Sequence, residues 1–167
     1  IPGTASNPEA KLAIDGAALT GALTPLLSRS KAGMEIAFAV DAKVYDGRFG
    51  NNAWLQELAD PITKLTWDNV AMISGATAKS IGVEDWDIVE VLYRDRRVEA
   101  PVLIVPGHAD DVVTLPLGYG RDGSENVARG VGFNANALRT SDAPWFDRGV
   151  TLNRTGARAK LAISAML

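Results

Sequence analysis

The sequence has no cysteine and a single histidine, His108, among 167 residues. Without cysteine the chain forms no disulfide, holds no thiolate-bound iron–sulfur cluster and attaches no c-type haem. A conventional zinc site would need at least two carboxylates beside His108. A Ser-His-Asp triad would depend on that same residue, and a cysteine nucleophile is excluded. Charge of one sign is also lacking. The 17 basic and 20 acidic residues give a net charge of −3 and no basic stripe of the kind that binds nucleic acid. No apolar run approaches the ~20 residues that span a bilayer, so direct membrane insertion is not expected. No charged-then-apolar leader follows Ile1-Pro2-Gly3. That opening, without an initiator Met, suggests a piece excised from a longer protein.

What is present is enough for one folded domain. Apolar residues make up 47% of the chain, which supports a substantial core. Residues 1–33 read as a polar lead-in with short helical segments, and residues 34–167 as the domain proper. Within the lead-in, Leu19, Leu23, Leu26 and Leu27 recur at helical spacing over residues 15–28. Pro25 opens a second possibility, two short helices with Thr24 as N-cap.

From Met34 the period shortens to two, with Ile36, Phe38 and Val40 alternating as in a strand. Trp54, Leu55 and Leu58 share one face of a short helix ended by Asp60-Pro61. Residues 70–73 read as a buried strand, with Ser74 capping a helix over residues 76–80 that Gly82 stops in the left-handed region. Residues 88–93 and 98–105 flank Arg94-Asp95-Arg96-Arg97 as a hairpin, and residues 112–117 form another strand. A short helix is expected near residues 134–138. Residues 150–153 and 158–163, on either side of Gly156, suggest a terminal hairpin. Short strands at close spacing with a few short helices predict a mainly β chain closed into a barrel.

Several motifs imitate chemistry. Gly118-Tyr119-Gly120-Arg121-Asp122-Gly123 matches the dinucleotide fingerprint letter for letter. It lacks room before Gly130 for the helix that receives pyrophosphate, so it reads first as an inter-strand loop, with an anion-binding concavity of backbone amides as the alternative. His108 has no ligand or triad company and reads as a turn residue, with a subunit contact as its competitor. Glu84, Asp85 and Asp87 occupy a turn where Asp serves local hydrogen bonds rather than acid catalysis. Trp54, Trp67 and Trp86 read as core or loop anchors. Trp145-Phe146 either docks on another domain or covers a barrel end.

Asn51-Asn52-Ala53-Trp54-Leu55-Gln56-Glu57, then Ala76-Thr77-Ala78 and Gly82-Val83-Glu84-Asp85-Trp86-Asp87, resemble the entry to the C-terminal domain of molybdopterin-dependent oxidoreductases. Thr66-Trp67-Asp68-Asn69, Pro106-Gly107-His108-Ala109-Asp110, Leu117-Gly118-Tyr119-Gly120 and the run from Gly132-Phe133-Asn134 to Ser141 are similar, more narrowly, to the B subunits of bacterial alternative complex III. The likeness covers residues 34–147. It implies a double-psi β-barrel of the aspartate-decarboxylase-like type. Trp86 stands where the family pattern has glycine, and at positive φ it would cost about 1–2 kcal/mol. Gly75 stands where relatives often have proline.

The resemblance implies a non-catalytic scaffold in a membrane-associated respiratory complex that oxidises quinol, on the periplasmic side of the bacterial inner membrane. This chain would carry no cofactor and no metal, and the parent would carry iron–sulfur clusters. The partners implied are other domains of the parent and other subunits of the complex. The alternative is a working molybdopterin-guanine-dinucleotide-binding domain. In that case Asn51, His108, Gly118, Gly120 and Asn134 are the candidate contacts. A third reading is an independent small-molecule-binding or decarboxylase-like barrel that self-processes at a Gly-Ser pair, of which Gly123-Ser124 is the only example.

Overall fold

A computed structural model describes residues 14–27, 32–123 and 127–164. The expected loose lead-in over residues 1–10 lies outside the described residues. The chain divides into two compact units, Ile1–Lys31 and Ala32–Leu167. In the first, α1 (Gly16–Leu27) runs unbroken through Pro25, so the two-helix alternative is not realised. The Asp15 carboxylate caps it, accepting from the Ala17 and Ala18 amides at 3.0 and 3.2 Å.

The second unit is a closed six-stranded barrel, the double-psi fold expected from the sequence. Its strands are β1 (Met34–Ala39), β2 (Ala71–Ile73), β3 (Asp87–Tyr93), β4 (Arg96–Ile104), β5 (Val112–Pro116) and β6 (Phe146–Arg158). Round the barrel they run β1-β5-β2-β4-β3-β6, and β6 pairs back onto β1. The pairs β1·β5 and β2·β4 are parallel and the other four antiparallel. Closure gives every strand a neighbour on both sides, so the barrel has no free edge strand of the kind an open sheet presents.

The inside is filled as strand alternation dictates. In β3 every second residue is buried, and Ile36, Phe38, Ile73, Val91, Val113 and Leu115 meet at the centre. Two short helices plug the connections. In α3 (Gly75–Ile81) the Ser74 side chain accepts from the Thr77 amide, and Gly82 closes the helix at φ 71°. Both cap residues are those the sequence marked.

Two expectations are corrected. The terminal hairpin is instead one 13-residue strand, β6. Gly149 and Gly156, at φ 92° and 84°, lie inside it and let it bend to reach both β1 and β3. The helix α2 (Ala53–Glu57) forms, but its buried residue is Gln56, while Trp54 is 84% exposed and Leu58 56%. Of the three apolar residues on that face, only Leu55 is half-buried. The Gln56 side chain is drawn inward by donating to the Gly50 carbonyl at 2.7 Å.

Candidate functional site

At the exit of β5 two glycine-bearing loops close on each other. Gly47 and Gly118 both adopt φ 101°, and a Cβ on Gly118 would stand 2.8 Å from the Gly47 nitrogen. One turn later a Cβ on Gly120 would meet the Asn134 nitrogen at 2.2 Å. These glycines are there because backbone passes against backbone, a contact any side chain would block.

The polar residues of this rim serve the same closure. Asn51 Oδ1 accepts from the Val127 amide at 2.9 Å, and Asn134 Oδ1 accepts from the Asn136 amide at 3.0 Å, capping the short 3-10 turn Ala135–Ala137. Arg121 donates to the Gly47 carbonyl at 3.0 Å. Asn51, Gly118, Gly120 and Asn134 thus lie on the two loops that meet here.

His108 does not join them. It sits before the opposite end of β5, with Nε2 2.9 Å from Thr114 Oγ1 and Nδ1 3.1 Å from the Ala109 carbonyl. Its turn is fastened to α3 by the Ser74 hydroxyl, which donates to Asp110, and by the Asp111 amide, which donates to Thr77 Oγ1.

The barrel resembles part of acetylene hydratase. With that molybdopterin enzyme from Pelobacter acetylenicus the TM-score is 0.55 at 12% identity, over 81% of this chain. The match spans 20% of the hydratase chain, so the likeness concerns one domain of a larger protein and shows the fold alone. No protein-family model and no curated protein match the sequence.

Two of the rim's candidate contacts to a pterin nucleotide are already engaged within the chain. Phosphate and purine recognition needs free amides, carbonyls or side-chain donors aimed at the ligand. Here both asparagine oxygens are spent on the chain's own amides, and the space a missing Cβ leaves at Gly118 and Gly120 is filled by the protein itself. The fingerprint-like loop leads into no described helix and lies in a barrel rather than a βαβ unit. Its Gly123-Ser124 pair falls partly outside the described residues.

The acidic turn is structural. Asp85 accepts from the Ile104 amide at 2.6 Å, while buried Asp87 accepts from the Glu84 amide at 3.1 Å and pairs with Arg154 at 3.2 Å. Between them Trp86 holds φ 72°, so a tryptophan occupies a left-handed position. Trp145 and Phe146 are 52% and 67% exposed and do not close the core; the Arg139 guanidinium lies 5.1 Å from the Trp145 ring.

A cluster of ionisable groups beside the rim escaped the sequence reading. Asp41 takes the Lys43 and Val44 amides on one oxygen, each at 2.8 Å, and the Tyr119 hydroxyl on the other at 3.1 Å. Lys43 is buried, and Nζ donates to the Leu65 carbonyl at 3.2 Å. Burial lowers the Lys43 pKa against the opposing pull of Asp41, Asp60 and Asp68. Burial raises both Tyr119 and Asp68, with the Asp41 charge adding to the first and the Gly132 amide opposing the second. Nothing in the sequence separates Lys43 from solvated lysines, because its burial depends on loops distant in sequence.

Proposed function

We propose that this chain is a cofactor-free double-psi barrel that scaffolds a membrane-associated respiratory oxidoreductase of the alternative complex III type. In this reading it positions neighbouring electron-transfer domains and carries no redox step itself. The observation that carries it is the spent rim. The side-chain oxygens of Asn51 and Asn134 are hydrogen-bonded within the chain, and two backbone crossings at glycine fill the intervening space. The ordered series of family-like segments from Asn51 to Ser141 supports the narrower kinship, and the barrel's likeness to a molybdopterin enzyme supports its origin.

The partners in this reading are iron–sulfur-bearing portions of the parent and other subunits on the periplasmic face of the inner membrane. Native purification of the full-length protein from membranes tests it. Iron and acid-labile sulfide without molybdenum or pterin are expected. Molybdenum and pterin at one per polypeptide would overturn the reading in favour of a working dinucleotide-binding domain.

A further inference from the structure

Beside the closed rim, a cleft of about 140 Å³ opens between the exit of β1, the loop over residues 60–70 and the neighbouring ends of β2 and β5. Its walls are largely apolar, with Val40, Ile62, Val70, Met72 and Pro116 among them. An apolar cavity near 150 Å³ accommodates a benzene-sized molecule, so this one has room for roughly six heavy atoms.

Three carboxylates also line it, those of Asp41, Asp60 and Asp68. Two are committed. Asp41 caps its own turn and takes Tyr119, while Asp60 Oδ1 accepts from the Ile62 and Thr63 amides at 2.9 and 2.7 Å. Asp68 differs. It takes a single donor, the Gly132 amide at 3.1 Å, against three donors on Asp60 Oδ1, and its other oxygen, like Asp60 Oδ2, has no hydrogen-bond partner among the described residues. Two lysines lie nearby: Lys43 is held by the Leu65 carbonyl, and Lys64 Nζ donates to the Pro61 carbonyl at 2.8 Å; neither makes a direct ion pair among the described residues. Three carboxylates against two ammonium groups leave the cleft with an excess of negative charge, and Asp68 is the carboxylate with the fewest donors.

We propose that this cleft binds a small alkylammonium ion, its nitrogen on the Asp68 carboxylate and its hydrocarbon against Val40, Ile62 and Met72. The cation supplies the charge-assisted hydrogen bonds that Asp68 lacks, and in a partly desolvated cleft such a pair is stronger than in water. Burial raises the Asp68 pKa, which means the bare carboxylate is disfavoured and a counter-ion relieves that cost. Anions are repelled, and a neutral molecule of the same shape gains the apolar contact alone.

Titration of the 167-residue chain with n-butylammonium, followed by amide chemical shifts, tests this. Saturable shifts are expected at Val40, Asp68 and Met72. 1-Butanol is expected to bind about tenfold more weakly, and so is n-butylammonium to Asp68→Asn, since each removes one partner of the charge-assisted bond. Ile62→Lys provides a second variant that leaves Asp68 alone. Ile62 is 70% exposed, so the substitution spares the core and places an ammonium at the mouth, which should block the ligand. Equal binding of 1-butanol, unchanged affinity in either variant, or no saturable binding of n-butylammonium would each overturn the proposal.

Discussion

The Asn69 side-chain amide pairs with both backbone groups of Phe133: Oδ1 accepts from its amide at 2.8 Å and Nδ2 donates to its carbonyl at 3.1 Å. Nδ2 also donates to the Pro116 carbonyl at 2.9 Å, so one buried side chain ties the loop before β2 to the end of β5 and to the far limb of the glycine-rich segment. Replacing Asn69 with alanine strands these buried backbone groups, each worth about 1–3 kcal/mol. Urea denaturation of Asn69→Ala should therefore show a loss of roughly 3 kcal/mol or more.

Gly120 and Gly82 separate two reasons for glycine. Both have positive φ, 66° and 71°, but a Cβ on Gly82 meets nothing within 4 Å, whereas one on Gly120 runs into Asn134. Gly82→Ala should cost only the left-handed backbone term, about 1 kcal/mol. Gly120→Ala should cost well over twice that, because backbone must move, and it should shift amide resonances through residues 118–134.

Trp86 carries the strain a glycine would not. Replacing it with alanine or with glycine removes the same indole, but only alanine keeps a Cβ at φ 72°. Trp86→Gly should thus be more stable than Trp86→Ala by about 1–2 kcal/mol in a paired thermal or urea melt.

Tyr93 gives the fold an alkaline limit. Burial, with Asp147 accepting its hydroxyl, pushes the phenol from 10.0 up to about 12. The folded-state pKa lies above the unfolded one, so this contribution is complete below pH 10 and is lost as pH rises through about 12. Urea midpoints should fall across that window. Tyr93→Phe should shrink the fall without abolishing it, since Tyr119 is raised as well.

Much of this fold was legible because local signals agreed with it. Ser74 and Gly82 marked both ends of α3, the alternation of Ile36 and Phe38 gave β1, and the turn at Arg94-Asp95 gave the β3–β4 hairpin. Trp86 stood out by comparison with a family pattern that has glycine there.

What failed depended on distant contacts. Gly156 read as a turn, yet in β6 it relieves a bulge opposite β3, and a single sequence does not distinguish the two uses. Trp54 and Leu58 have helical spacing, but that spacing does not say which side meets the core. The roles of Lys43 and Asp68 were hidden for a similar reason. Their environment is built by the Leu65 carbonyl, the Gly132 amide and the Asp41–Tyr119 pair, four places far apart along the chain.

The central claim is that the rim binds no nucleotide, since the Asn51 and Asn134 side-chain oxygens and the space at Gly118 and Gly120 are taken by the protein. Titrating the chain with guanosine diphosphate, the nucleotide end of the alternative ligand, measures this directly through the amides of Gly118, Gly120, Val127 and Asn134. No saturable shift at these four amides is the expected result. Saturable movement of all four, with loss of the Asn51–Val127 hydrogen bond, would show that the rim opens to a nucleotide and would contradict the account.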